Sequence, residues 1–297
     1  MKITIYGTRG SYPVCGAKII RYGGNTTCFY IEYNDEKIIV DGGSGIVKLG
    51  DDIMLNSEYF GSEFNILVTH THWDHIMGFP YFRPFYYKGY KINVTGSDAE
   101  TMKLQDVFYK QHNRINHPVP FESLKADMTF NEISAGDDFS LGVIKIKTYQ
   151  LNHPGKDLGY RFETDNGIFV ILTDLAVIEN NYLAIGFEKL AKEDSKKLER
   201  DYYEGLVEFI RGADLVLHDT NFTEEEIQNK RHWGHSSPLD ALNLLSEHNS
   251  SPALVLSHHD PFHNDRDMDE IYKNAKRKGK DMGIDVLIAK EGGSFIL

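Results

Sequence analysis

His70-Thr71-His72-Trp73-Asp74-His75 places three imidazoles and one carboxylate within six residues. The segment follows the apolar run Phe64–Thr69 and precedes Gly78 and Pro80, so the cluster is expected in irregular backbone at a strand end. Imidazole with carboxylate suits Zn²⁺, Mn²⁺ or Fe, and a strand-end loop can fold such groups around a cation. One short segment cannot complete two metal shells, so further ligands must come from downstream. Four candidates occur in order: His153 in Leu151-Asn152-His153-Pro154, Asp174 in Ile171-Leu172-Thr173-Asp174, His218-Asp219 after Leu215–Leu217, and His258-His259-Asp260 after Ala253–Leu256. Each stands at the C-terminal end of an apolar run, where open α/β sheets place their sites.

The elements that must carry these groups are legible in outline. Short β-branched and aromatic runs predict strands at Ile3–Tyr6, Cys28–Tyr33, Lys37–Val40 and Phe64–Thr69, the middle pair joined by a hairpin at Asn34-Asp35-Glu36. Ser97-Asp98-Ala99-Glu100 has a capping-box pattern, which predicts a helix from there to about His112, with Met102, Val107 and Phe108 at helical spacing. Strands are expected again at Val143–Tyr149, Gly159–Thr164 and Gly167–Leu172, with Asp165-Asn166-Gly167 as the turn between the last two. Helices then alternate with strands: Ser195–Arg211 before Leu215–Leu217, Pro238–His248 before Ala253–Leu256, and Asp265–Lys280 before Ile284–Ile288. Strands first and alternation later suggest one layered α/β domain, with two sheets inside helices.

Composition bounds the function. The chain has 297 residues, 41% hydrophobic and 26% charged, as an ordinary globular protein has. Its formal net charge of −12 argues against general nucleic-acid binding, which needs a basic stripe, so a polyanion must be attracted locally. Cys15 and Cys28 cannot make a disulfide framework, and a reducing cytoplasm is expected. The N-terminus lacks the apolar run of a signal peptide, and no segment approaches the ~18 apolar residues of a membrane span. No membrane partner is expected.

On these residues the chain resembles the metallo-β-lactamase superfamily, whose HxHxDH signature is matched by His70, His72, Asp74 and His75. The later ligands find matches in order along nearly the whole chain. The resemblance implies a four-layer αββα sandwich, the metallo-β-lactamase fold, over residues 1–297. It implies that His70, His72 and His153 hold one divalent ion, that Asp74, His75 and His258 hold another, and that Asp174 bridges them. Zinc is the expected ion, with manganese or iron as the other fits. Thioesterases, lactonases, oxidoreductases and phosphodiesterases share this signature, so the second half must discriminate. His218-Asp219-Thr220-Asn221-Phe222 is similar to the HEATF segment of ribonuclease Z, and Gly234-His235-Ser236-Ser237 to its GHSS segment. His258-His259-Asp260-Pro261 matches the HHDP segment of a bacterial branch whose members resemble cyclic-nucleotide phosphodiesterases. Gly7-Thr8-Arg9-Gly10-Ser11 and Tyr22–Thr27 look like the N-terminal turns of the phosphodiesterase-like branch to which ribonuclease Z belongs. Asp219 replaces the family glutamate and is one methylene shorter.

The expected activity is a binuclear metal-dependent phosphodiesterase acting on a small nucleotide-like or cyclic diester. Its nucleophile is a hydroxide bridging the two ions, oriented by Asp74. Two divalent ions offset by two aspartates and that hydroxide leave one local positive charge, enough to draw a diester monoanion. His235 is expected to donate to the phosphate or to protonate the leaving alkoxide, assisted by Asp219; the alternative is a residue leading into the helix at Pro238. The second expectation is an ester, thioester or lactone hydrolase on the same fold. A tRNA-processing endonuclease is placed behind both, because the charge is wrong for gripping tRNA and no long Gly/Pro-rich arm interrupts the chain. A non-catalytic binding protein comes last, since every ligand is intact. A homodimer is left open. His259 is expected beside the ligands or partly exposed, and His112, His117, His232, His248 and His263 in loops or at the surface. The run Phe79–Tyr87 is expected to pack in a core or dimer interface in preference to stacking a base.

Overall fold

The computed structural model describes residues 1–99, 101–177, 192–248 and 252–297. Contacts divide it into two compact units, Met1–Ser134 with Lys290–Ile296, and Ala135–Ala289 with Leu297.

In the first unit β1 (Lys2–Gly7), β2 (Cys28–Tyr33) and β3 (Glu36–Val40) form an antiparallel run, continued in parallel by β4 (Glu63–Val68), β5 (Lys91–Gly96) and β6 (Asp127–Glu132). The chain's last strand, Ser294–Ile296, closes this seven-stranded sheet against β1. The expected hairpin pairs Tyr33 with Glu36, and Asn34 takes the left-handed turn position at φ 51°, which asparagine tolerates. Helix α1 (Gly45–Leu55) buries Ile46, Leu49 and Ile53 against the sheet's core cluster. The short α2 (Trp73–Ile76) follows β4. The aromatic run supplies the same core: Phe79, Phe82 and Phe85 are fully buried, while Tyr81 and Tyr87 face solvent. Each buried ring contributes about 1.5–3 kcal/mol of transfer free energy.

The helix expected from Ser97 starts later. Ala99 and Met102 close a small bridge, with Ala99 N–H on the Met102 carbonyl at 2.8 Å, and Lys103 is extended before α3 (Leu104–Gln111). The turn takes the backbone groups that a cap would have taken; Glu100 lies outside the described residues.

In the second unit β7 (Asp138–Leu141), β8 (Ile144–Gln150), β9 (Leu158–Thr164) and β10 (Gly167–Leu172) are antiparallel. From β10 the sheet runs parallel through β11 (Leu215–Asp219), β12 (Ala253–Ser257) and β13 (Val286–Ile288). Its helices are α4 (Lys192–Ile210), α5 (Ile227–Lys230), α6 (Pro238–Ser246) and α7 (Asp265–Asp281). Ser237 with Asp240, and Asn264 with Asp267, form reciprocal capping boxes that start α6 and α7. Register sets the chemistry: Leu172 pairs with His218 and His218 with Leu256, so three parallel strands end in step. No helix among the described residues is long and apolar enough to cross a membrane.

Candidate functional site

In the first unit β4 runs out at Val68 and delivers Thr69 and His70, and the chain then turns through α2. The turn after β3, Asp41-Gly42-Gly43, holds it there: Gly42 N–H donates to the His75 carbonyl at 2.7 Å, and Gly78 N–H to the Gly42 carbonyl at 2.8 Å. A Cβ on Gly43 would lie 2.2 Å from the Asp74 carbonyl oxygen, so only glycine permits the approach. Asp41 is fully buried at φ 61°. It accepts from the Thr69 N–H at 2.8 Å and hydroxyl at 2.9 Å, and stands 2.7 Å from His75 Nδ1. Burial pushes its carboxyl up, and the His75 partner opposes that. A carboxylate on Nδ1 fixes the proton there and leaves the Nε2 lone pair available. His75 Nε2 lies 3.5 Å from Asp74 Oδ2, which also accepts from Ser11 N–H at 2.6 Å. The His70 ring sits 4.4 Å from His72 and 4.2 Å from His75. The four predicted ligands of this unit are therefore adjacent, with His72 exposed and the others buried.

In the second unit Asp174 divides its carboxylate between two imidazoles. Oδ2 lies 3.5 Å from His153 Nε2, and Oδ1 3.0 Å from His258 Nε2. His153 Nδ1 donates to the Gly234 carbonyl at 3.0 Å, which again leaves Nε2 as the ligand atom. His258 is held in the left-handed region at φ 57°, a strain that sites tolerate when surroundings fix it. Here Asn221 Nδ2 donates to the His258 carbonyl at 2.8 Å.

Beside this trio stands His235, its Nδ1 2.7 Å from Asp219 Oδ2. Asp219 is fully buried and accepts two backbone donors as well, Leu175 N–H at 3.1 Å and Asn221 N–H at 2.9 Å. The shorter acid thus reaches the imidazole and holds it in one tautomer. The His235 ring lies 5.2 Å from that of His153 and stacks on His258 at 5.1 Å. Asp219, His235 and His258 each bring one donor atom within 4.8 Å of the others.

Several other histidines are more enclosed than a surface placement would make them: His112, His117 and His263 lie in loops, as expected, and are buried there. His259 is fully buried with Nε2 3.1 Å from the Ala289 carbonyl, not partly exposed. His112 and His117 are buried and pack ring to ring at 5.0 Å, and His263 is buried with Nε2 3.1 Å from Glu226 Oε1. In each case a carbonyl, carboxylate or ring partner offsets the cost of burying imidazole. His218 is buried with Nδ1 2.6 Å from the Asp219 carbonyl, and burial lowers its pKa, which keeps it neutral. His232 is exposed. Sequence reading missed Asp41, Thr69, Ser11 and Asn221. Asp41 had a usable signal, an acid at the end of an apolar strand before two glycines; the other three act through geometry that no spacing announces.

Comparisons with known proteins follow the same lines. Residues 64–192 match the model of the beta-lactamase superfamily domain. The ribonuclease Z of Thermoplasma acidophilum is 24% identical over 288 residues, covering 88% of this chain and 87% of its own. That of Archaeoglobus fulgidus is 23% identical over 294 residues, covering 86% of each. The metallo-beta-lactamase fold protein YhfI from Bacillus subtilis superposes with a TM-score of 0.68 at 18% identity, covering 99% of each chain.

Proposed function

Because the chain belongs to the metallo-β-lactamase superfamily, shares its fold and is a metal-dependent hydrolase, we propose that it cleaves phosphodiester bonds with RNA as its substrate class. The ribonuclease Z relatives, matched over most of both chains, move RNA processing ahead of the small-diester reading that net charge favoured.

The observation that carries the reading is the Asp219–His235 pair at 2.7 Å. A buried carboxylate on Nδ1 fixes the ring's orientation and presents Nε2, from which a proton can pass to a leaving alkoxide. Phosphodiesters expel a strongly basic alkoxide and need that proton. The donor set suits metal ions: His75 and His153 are anchored at Nδ1 by oxygen acceptors, the usual support of metal-ligating histidines. His70, His72, Asp74 and His75 with His153, Asp174 and His258 would hold two divalent ions, zinc being the proposed native one. When bound, such ions supply Lewis acidity and a water of lowered pKa. The chain's own contribution is to fix these side chains, to keep Asp74 oriented through Ser11 N–H, and to hold the His235 proton in place.

A small nucleotide-like diester is the second reading, favoured by the net charge of −12, which repels a long polyanion. The test is hydrolysis of bis(p-nitrophenyl) phosphate, a precursor tRNA, short RNA and cyclic nucleotides by zinc- or manganese-loaded protein, with a chelated control. Chelator-sensitive RNA cleavage is expected. Turnover of cyclic nucleotides alone would establish the second reading, and a two-metal protein inert on every diester would move the assignment to ester, thioester or lactone chemistry.

A further inference from the structure

Trp233 closes the short 3₁₀ turn Arg231–Trp233, two residues before His235. Its indole is 54% exposed, a large flat apolar surface left in water beside a reactive group. The ring is nevertheless held. Phe222 packs against it edge to face with centroids 6.0 Å apart. Lys230 Nζ lies 5.6 Å over the indole and 4.2 Å over Phe222, and the same ammonium stands 3.9 Å from Asp260.

The backbone under the indole is fixed just as firmly. Gly234 sits at φ 85°, and a Cβ there would lie 2.5 Å from His153 Nδ1; its carbonyl accepts from that same nitrogen. Phe222 also packs on His235 at 5.8 Å. Indole and imidazole therefore share one ring as a common neighbour and stand two residues apart along the chain.

We propose that Trp233 is a nucleobase-stacking subsite for the nucleotide adjoining the scissile phosphate; this rests on the phosphodiesterase reading above. Lys230 stands over the indole and the His232 ring meets it edge to face at 6.2 Å, yet more than half of the residue stays exposed to receive a base. Every base offers a π-face, so the platform binds bases without reading sequence. A rigid aromatic held by Phe222 loses little entropy when a base stacks on it, and the nearby ammonium adds attraction for the phosphate backbone. The subsite selects diesters that carry a base over those that do not.

The chain has two tryptophans, so in metal-loaded Trp73→Phe protein the emission comes from Trp233 alone. Titration with a cleavage-resistant phosphorothioate DNA tetramer is expected to quench it saturably, and an abasic tetramer is expected to leave it unquenched. In the wild-type background, Trp233→Leu is expected to weaken tetramer binding about 5- to 150-fold, the range for stacking one base on an aromatic ring. Trp233→Phe should restore most of the loss, which a merely structural role would not predict in step with quenching. Unquenched emission at saturating tetramer, equal losses for Leu and Phe, or an abasic tetramer as sensitive to Trp233→Leu as the normal one would each overturn the proposal. The two readings fail separately. An active diesterase with an unquenched indole refutes the subsite, whereas a quenched indole in a two-metal protein inert on diesters refutes the activity.

Discussion

Replacing Asp41 by asparagine tests whether the first unit's histidines are metal ligands held by a carboxylate behind them. Asparagine adopts the left-handed backbone that Asp41 occupies at φ 61°, so the turn should survive. The side chain cannot satisfy its surroundings in either orientation. With its oxygen on the Thr69 N–H, now 2.8 Å from Asp41 Oδ1, its NH₂ faces His75 Nδ1, forces that nitrogen to accept and moves the ring proton to Nε2. With the amide flipped, two donors meet at Thr69 and one buried N–H loses its partner, at about 1–3 kcal/mol. The first outcome blocks the ligand atom; the second loosens the strand end that carries it. Either corresponds to roughly 10- to 100-fold weaker metal binding, the usual effect of losing a partner behind a metal-bound histidine. Removing a buried charge offsets part of the lost hydrogen bonding, so the melting temperature of metal-free protein should change little. Zinc affinity is measured by competition with a chromophoric chelator, and metal-free stability by thermal melting. An Asp41→Asn protein that binds zinc within about twofold of wild type would refute the assignment.

Other outcomes follow from particular contacts. His235→Ala should lower diester turnover by about 10²- to 10⁴-fold with two ions still bound, checked by kinetics beside metal analysis; loss of metal would contradict its role as proton donor. Phe79→Ala should cost about 3–5 kcal/mol in urea unfolding, since the ring is fully buried against Phe108 at 4.5 Å. Burial lowers the pKa of His112 below its ordinary 6.5, so the unfolded chain takes its proton more readily than the folded one. That stability is present above about pH 6.5 and is lost as pH falls towards the folded value. His112→Gln should flatten the fall in urea midpoint between pH 7 and pH 5.

Much of this site was readable because its ligands sit next to strong strands. The run Leu215–Leu217 and the pair His218-Asp219 need only a strand-end argument, and the structure extends that strand through Asp219 itself. The pairing of Asp219 with His235 depends on two segments meeting across sixteen residues, and no local period encodes it. Helix α1 escaped notice because its N-cap Ser44 makes no side-chain cap and two glycines fall within it. Strands β6 and β7 lie at sheet edges and carry many charged and polar residues, so their alternation is weak against a turn-like composition. The false helix start at Ser97 shows the limit of a motif without context, since a bridge between Ala99 and Met102 claims the same backbone.

The in-step endings of β10, β11 and β12 make this protein a convenient object for laboratory evolution. Leu172, His218 and Leu256 are consecutive partners across the sheet, and the residues just beyond them, Asp174, Asp219 and His258, are the polar ones. The interior portion of each strand supplies hydrophobic packing, and the next one or two positions supply reactivity. Mutational libraries confined to the stretches after these strands should retain folded clones at high frequency and redistribute substrate preference among them. Libraries placed two or three residues earlier, at Ile171, Leu217 or Val255, all buried, should mostly yield unfolded protein.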